Sequence, residues 1–179
     1  MFTTEAVRDA AITSPTEGMH AYLTASTVAA ATGQTTAVPT GIQTIYNGAA
    51  WVCVTEVGAS SLTSATTTST SYVSTLTGDT TAVSVTLSTG TTAKVEHGAF
   101  SSTSGVYSQD FTVSGATTRA SNDSTRLIHQ LGINGAAAPF RSFVLTGLTA
   151  GTNTFTLQYK TDGSLFTATH RVLTVKAIA

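Results

Sequence analysis

Hydrophobic and polar residues alternate with a period of two through much of the chain after residue 72. The clearest case is residues 155–160, where Phe155, Leu157 and Tyr159 alternate with threonine, glutamine and lysine. Such alternation is typical of a strand that buries one face and exposes the other. The same pattern predicts further strands at residues 83–87, 94–99, 111–114, 126–133, 141–148 and 166–179.

Clusters of Gly, Ser, Thr, Asn and Asp separate these strands and read as turns. Short strands punctuated by turns roughly every 8 to 12 residues are the pattern of sandwiches and barrels. Because each apolar stripe can be buried only against a second layer, we predict an all-β fold. Residues 72–179 are expected to form a jelly-roll-like antiparallel β-sandwich of about eight strands around a dry interior.

The first 57 residues predict a smaller unit, an N-terminal module with a β-hairpin and an extended arm. A short helix is expected near residues 7–12, ending before Pro15 because the residue that precedes a proline avoids the α region. A strand at residues 20–23 follows, and then an arm at 24–41 that is rich in Ala, Thr and Gly. Residues 43–46 and 51–54 form the hairpin across Asn47-Gly48, a pair that tolerates positive φ.

Residues 58–71, "GASSLTSATTTSTS", contain almost only Ser, Thr, Ala and Gly. Such a stretch has little to bury, which is typical of a flexible or extended connector. We therefore predict a linker over residues 58–71, between an N-terminal module at 1–57 and the sandwich at 72–179.

Composition narrows the possible partners. Only 9% of residues are charged and the formal net charge is -1, against about 25% charged residues in an average domain. This low charge argues against binding to nucleic acid or to an anionic membrane surface. The N-terminus has no recognisable secretory signal, and no stretch approaches the ~18 apolar residues of a membrane helix. We expect synthesis in the cytoplasm without membrane insertion.

No arrangement of residues indicates catalysis, a metal site or a cofactor. The nearest match to a Gly-x-Ser-x-Gly nucleophile motif, "GASSL", lacks the second glycine. The histidines are far apart in sequence, and the aspartates lie in turns, in loops or beside strands. These residues are His20, His97, His129, His170, Asp79, Asp110, Asp123 and Asp162. We predict a protein that is not an enzyme and needs no cofactor, with the single cysteine, Cys53, buried as a small apolar side chain.

The most polar segment of the C-terminal region is "TTRASNDSTR", which holds Arg119, Asn122, Asp123 and Arg126. One interpretation is a solvated loop with an internal ion pair, which contributes little by itself. The other interpretation is a contact surface for a partner or a glycan. The sequence leaves both open.

Two motifs in the first third of the chain resemble the N-terminal module of tailed-bacteriophage fibre, minor tail and head-fibre proteins. The first is "RDAAITSPTEGMHAYL" and the second is "IYNGAAWV", which follows it after the arm. The matching positions are Arg8 to Ile12, Ser14, Pro15, Glu17 to Met19, Tyr46, Asn47, Gly48 and Trp51. "TVSGATTRASNDSTR" and "VLTGLTAGTNTFTLQYKT" are similar to sandwich domains that follow such modules in phages of actinobacterial hosts. In many relatives the first strand runs almost directly into the hairpin, whereas here the arm intervenes.

The resemblance implies a non-enzymatic virion protein on the particle surface, with other virion proteins as partners and a homotrimeric assembly. It implies a capsid decoration or head-fibre subunit, or alternatively a minor tail or tail-fibre protein whose sandwich binds a host-surface receptor or glycan. The attachment residues it suggests are Arg8, Asp9, Ile12, Pro15, Glu17, Met19, Tyr22, Tyr46 and Trp51. Within the module we expect Trp51 to be an anchor that packs on Tyr22, on Met19 or on another subunit, because a two-stranded hairpin is marginal alone.

Overall fold

A computed structural model of the chain describes residues 1–24, 42–48, 51–103, 105–130 and 135–178. The predicted arm at 24–41 lies almost wholly outside the described residues, as do Ala49, Ala50 and the end of the strand predicted at 126–133. The burial of the Cys53 side chain is likewise outside them.

The N-terminal module is a short helix and a three-stranded antiparallel sheet in the order β1-β2-β3. Its elements are α1 (Glu5–Ala11), β1 (His20–Leu23), β2 (Ile42–Tyr46) and β3 (Trp51–Cys53). Thr4 caps the start of the helix: its hydroxyl accepts a hydrogen bond from the Val7 amide at 3.3 Å, which satisfies one of the free amides of the first turn. It ends at Ala11, ahead of Pro15 as the sequence predicts.

Two further antiparallel sheets face each other and form the sandwich. The first sandwich sheet has the order β10-β7-β13-β4, with β11 also on β7 and β5 also on β13, and the second has the order β6-β12-β8-β9. The strands are β4 (Val57–Ser61), β5 (Ala65–Thr67), β6 (Ser84–Thr89), β7 (Thr92–Thr103), β8 (Val106–Gly115), β9 (Leu127–Gln130), β10 (Gly135–Ala137), β11 (Phe140–Thr146), β12 (Gly151–Thr161) and β13 (Phe166–Ile178).

Most connections from β6 onward carry the chain from one sandwich sheet to the other. Consecutive strands therefore become neighbours across the sandwich rather than within a sheet, which is the arrangement of a jelly roll. The predicted fold class, an all-β chain with a jelly-roll-like sandwich, is confirmed.

The hydroxyl-rich composition suits the outer face of the second sandwich sheet. On β6, Val85 is buried while Ser84 and Thr86 are exposed. Ser84 pairs with Thr156 of β12 through hydroxyls 2.9 Å apart, and Thr86 pairs with Thr154 at 2.8 Å. Cross-strand hydroxyl pairs of this kind stabilise a sheet without charge.

The linker predicted over residues 58–71 is wrong, because this segment contains strands of the sandwich. Val57–Ser61 pairs with β13 from Val175 to Arg171, and Ala65–Thr67 pairs with β13 near its start. The composition is misleading here because a strand at the edge of a sheet needs few large side chains. In β5 the buried side chain is that of Ala65, which is 1% exposed.

The module packs against the sandwich. Leu23 and Val52 of the module belong to the same buried cluster as the apolar residues of both sandwich sheets. The Ser88 hydroxyl of β6 donates a hydrogen bond of 2.9 Å to the Trp51 carbonyl. The N-terminal module and the sandwich are therefore in contact, and the predicted boundary near residue 57 does not separate them in space.

The interior between the two sandwich sheets is apolar over most of its extent but is not uniformly so. Phe111, Phe155 and Leu157 are fully buried there. So are polar and charged side chains, which the expectation of a dry apolar interior did not include. Those on the central strands that face this interior include His97, Gln109 and Arg171.

Candidate functional site in the N-terminal module and the polar loop

Arg8 joins the helix to the small sheet of the module. Its side chain is fully buried, and its guanidinium carbon lies 4.5 Å from the centre of the Trp51 ring. Its nitrogens donate to Asp9 Oδ1 at 2.9 and 3.0 Å and to the Thr44 hydroxyl at 3.4 Å. A desolvated cation over an indole face contributes about 2 kcal/mol, so this contact holds α1 on the sheet.

Trp51 is fully buried on β3, directly opposite Tyr46 of β2. The two ring centres are 5.6 Å apart and the rings are tilted by 60°. Val52, the next residue, belongs to the sandwich core, and neighbouring residues of a strand point to opposite faces. Trp51 therefore faces α1, while Val52 faces the sandwich.

Trp51 has two ring contacts that were not predicted, an aromatic one with Tyr46 and a cation–π one with Arg8. The predicted packing on Met19 or on another subunit stays a prediction. Tyr22 is 44% exposed, because it alternates with the buried Ala21 and Leu23 along β1.

The turn before β1 is fastened to the hairpin by backbone hydrogen bonds. The Gly18 amide donates to the Tyr46 carbonyl at 2.8 Å, and the Tyr46 amide donates to the Met19 carbonyl at 2.9 Å. Gly48 has φ of 89°, as expected for the second residue of Asn47-Gly48, and the Glu17 carboxylate lies beside it. The Gly18–Met19 turn and the hairpin therefore form one surface.

The predicted attachment residues thus fall into two groups. Arg8 and Trp51 are inside the module and hold its elements together. Glu17 and Tyr22 are exposed, while Asp9, Ile12, Pro15, Met19 and Tyr46 are half-buried. Only the exposed and half-buried residues can contact a partner without unfolding of the module.

The polar loop, residues 119–126, is held by the buried carboxylate of Asp110 on β8. Asp110 accepts hydrogen bonds from the Asn122 amide at 2.7 Å and from the Thr125 hydroxyl at 2.9 Å. Arg119 lies 4.4 Å over the Phe111 ring, donates to the Phe111 carbonyl at 2.6 Å and pairs with Asp110 at 3.5 Å. The polar loop is therefore held against the sheet by the charged side chain of Asp110, a residue that lies outside the loop.

A second carboxylate, Asp123, organises the outer side of the polar loop. It pairs with Arg126 at 2.8 Å and with Lys160 of β12 at 2.6 Å. It also accepts from the Tyr72 hydroxyl at 3.1 Å, and these partners lower the pKa of its carboxyl group, with Lys160 the largest cause. The internal ion pair is present, and Arg119, Asp123 and Arg126 all have partners within the chain. The contact-surface interpretation of the loop stays a prediction.

A further ion pair, which was not predicted from the sequence, joins Arg171 of β13 to Asp79 in the segment between β5 and β6. Arg171 of β13 is fully buried, and its Nη2 group donates to the Asp79 carboxylate and, at 2.9 Å, to the Ser61 hydroxyl. Bonds from Ser61 and from the Thr81 amide lower the pKa of Asp79 to about 2. A signal was present in the sequence, since Arg171 has the same parity as the inward-facing Leu173 and Val175.

The pocket between the module and the sandwich has a volume of about 330 Å³ and is lined by residues from both, among them Glu17, Asn47 and Ile178. Within the described ranges, no group of three or more His, Cys, Asp or Glu is placed to hold a metal ion. No helix among the described residues is long and apolar enough to cross a membrane.

No family model and no curated protein matches the chain. Among solved structures, the Eiger TNF from S. frugiperda is similar over 69% of this chain and 93% of its own, at 12% identity and a TM-score of 0.47. A similarity of this size carries no functional argument. The fold assignment depends on the strand order of the chain itself.

Proposed function

We propose that the chain is a non-enzymatic structural protein of a tailed-phage virion, a capsid decoration or head-fibre subunit on the particle surface. In this proposal the N-terminal module attaches the subunit to other virion proteins, and the jelly-roll sandwich is displayed outward. The resemblance of the two N-terminal motifs is the origin of the proposal.

The observation that supports it most is the contact between those two motifs. Arg8 belongs to the first motif and Trp51 to the second, and they are separated by the arm in the sequence. In the structure the Arg8 guanidinium lies 4.5 Å from the Trp51 ring centre, and both side chains are fully buried. Two motifs that resemble one kind of module thus form one compact unit.

The exposed side of the module gives the proposal a defined surface. Tyr22 presents an aromatic ring that is 44% exposed, and Glu17 presents an exposed carboxylate at the turn beside the hairpin. Exposed aromatic side chains are frequent anchors of protein interfaces. We therefore assign the contact with the particle to Tyr22 and Glu17, and the shape of the module to Arg8 and Trp51.

A homotrimer is part of the same proposal. Phe140 and Val144 on the strand β11 are 60% and 56% exposed, and Ile128 on β9 is 49% exposed. These strands are at the ends of their sheets on one side of the sandwich. Association there would bury apolar area and few charges, which avoids a desolvation cost. Native mass spectrometry is expected to give three copies, and a stable dimer would contradict the trimer.

The test of virion attachment is immunogold electron microscopy of washed particles from the phage that encodes the chain. We expect gold on the capsid, whereas gold on the tail would favour the alternative of a minor tail protein. Particles without the protein would overturn the proposal.

A binding assay tests the assigned surface. Purified chain is added to particles that lack it, and the bound fraction is measured after sedimentation. The double variant Tyr22→Ala, Glu17→Ala is expected to bind at least tenfold more weakly, with an unchanged circular dichroism spectrum. Leu62→Ala, a change at a residue that is 72% exposed outside the module, is the matched control and should bind normally.

A further inference from the structure

Several polar atoms deep in the sandwich have no hydrogen-bond partner among the described residues. They lie on the four central strands, at the end of the interior where β7 and β8 meet β12 and β13. The atoms are Arg171 Nε, Arg171 Nη1 and the hydroxyl oxygens of Ser101, Tyr107 and Tyr159, with His97 Nε2 further along β7.

These side chains are close to one another. The Arg171 guanidinium carbon is 5.9 Å from the centre of the Tyr159 ring. Phe166 packs against both tyrosines, with ring centres 4.4 Å from Tyr107 and 6.2 Å from Tyr159. Arg171, Tyr159 and Tyr107 therefore lie in one part of the core, around Phe166.

Leaving such groups without partners is costly. A buried polar group without a hydrogen bond costs about 1–3 kcal/mol, and a charged group costs more. Proteins usually meet this cost with internal water molecules that make about three hydrogen bonds each. Three donor hydrogens on Arg171 and a hydroxyl that can both donate and accept form a suitable set.

We propose that the sandwich holds an internal hydration site in which an ordered water molecule accepts a hydrogen bond from Arg171 and bonds to the Tyr159 hydroxyl. The ligand is water rather than an anion because Asp79 already pairs with the guanidinium. A second negative charge would enter a compartment that is neutral, at a large desolvation cost.

Solvent has a short route to this site. A surface depression of about 310 Å³ is lined by Ser61, Thr63 and Asp79, among others. The same three residues accept the hydrogen bonds of Arg171 Nη2. The outer side of the guanidinium thus faces residues at the surface, and its other nitrogens face the interior.

Burial and charge also make Tyr159 a suitable partner. Desolvation raises the pKa of Tyr159 to about 12, while the charge of Arg171 and the side-chain contacts of the hydroxyl with Arg171 and Gln109 lower it. The hydroxyl is therefore protonated at neutral pH, so that it can donate one hydrogen bond and accept another.

Two measurements on the full chain test the site. The first is a high-resolution electron-density map from crystals soaked in bromide. We expect a water peak within 3.2 Å of a nitrogen of Arg171 and of the Tyr159 oxygen. An anomalous bromide peak there, or no density at all, would overturn the assignment. Water-oxygen magnetic relaxation dispersion should show a long-lived internal water in solution.

Tyr159→Phe is the diagnostic variant, because it removes one partner and keeps the ring. The dispersion amplitude is expected to fall by the contribution of one water, and the crystal peak should weaken or disappear. Tyr22→Phe, at an exposed ring, is the matched control and should leave the amplitude unchanged. A full amplitude in Tyr159→Phe would contradict the role given to this hydroxyl.

Discussion

Replacement of Trp51 by alanine should unfold the N-terminal module and leave the sandwich folded. The side chain is fully buried and lies between Tyr46 and the Arg8 guanidinium. A tryptophan buries roughly 150–250 Å², which at about 25 cal/mol per Å² corresponds to about 4–6 kcal/mol. Measured large-to-alanine changes give about 3–5 kcal/mol, and we take about 4 kcal/mol.

The module has little stability of its own to absorb this loss. Its helix has seven residues and its sheet three short strands, and elements of this size are marginal in isolation. The sandwich keeps its core of long paired strands. Unfolding is therefore expected to be local rather than global.

Hydrogen exchange followed by mass spectrometry measures both parts at once. A loss of about 4 kcal/mol corresponds to an exchange rate about 1,000-fold higher, expected in peptides from residues 1–24 and 42–48 but not in β12 or β13. Tyr22→Ala, at an exposed aromatic residue of the same sheet, should change these rates less than tenfold. Equal acceleration in module and sandwich, or less than tenfold in the module, would refute the assignment of Trp51 as its anchor.

Three further predictions concern the sandwich. Gly115→Ala places a β-carbon at positive φ (104°) and 2.4 Å from a facing carbonyl oxygen, whereas Gly147→Ala at φ 77° meets nothing within 4 Å. Thermal unfolding should show a loss of about 1–2 kcal/mol for Gly147→Ala from backbone strain alone and a further 1–3 kcal/mol for Gly115→Ala from the clash; equal losses would contradict this. Burial lowers the pKa of His97. As pH decreases, the unfolded chain therefore binds a proton at this histidine at a higher pH than the folded chain does. Stability measured by urea unfolding should therefore be constant above about pH 6.5 and fall as pH decreases from there towards the lower folded-state pKa, and His97→Phe should remove this decrease. Asp110→Ala should free the polar loop and cost about 3 kcal/mol, because it leaves Arg119 without its buried partner; exchange in residues 119–126 should rise more than in Asp123→Ala, since Asp123 is 53% exposed.

Strand positions were readable from the sequence because burial of one face imposes a local pattern. The strand predicted at residues 20–23 is His20–Leu23, and the alternation at 155–160 lies inside Gly151–Thr161. The ends of the strands were predicted less accurately. The strand predicted at residues 94–99 is β7, which spans Thr92–Thr103. The length of a strand depends on the adjacent strand that supplies its hydrogen bonds. The residues of the strand itself do not specify which segment that will be.

The segment at residues 58–71 shows where local pattern fails. Its serines and threonines are compatible with a solvated connector and equally with an edge strand. The choice is made by β13, whose backbone pairs with β4 and β5. Local composition cannot indicate that the pairing strand lies about 100 residues further along the chain.

The sequence pattern and the structure also differ at charged residues. Arg171 sits at an inward position of an alternating strand, where the pattern favours an apolar residue. It is tolerated because Asp79 and Ser61, distant in sequence, supply a countercharge and hydrogen bonds. Asp110 is likewise tolerated because the polar loop covers it and supplies hydrogen bonds from Asn122 and Thr125.

By itself the sequence determined the class of fold, the place of most strands, the end of the helix and the turn at Asn47-Gly48, since each depends on neighbours a few residues away. Only the tertiary structure decided that Arg8 covers Trp51, that the hydroxyl-rich segment joins a sheet, and that charged groups lie inside the sandwich. Those outcomes depend on contacts between distant segments, where the free energy of burying a group is set by the partner that folding brings to it.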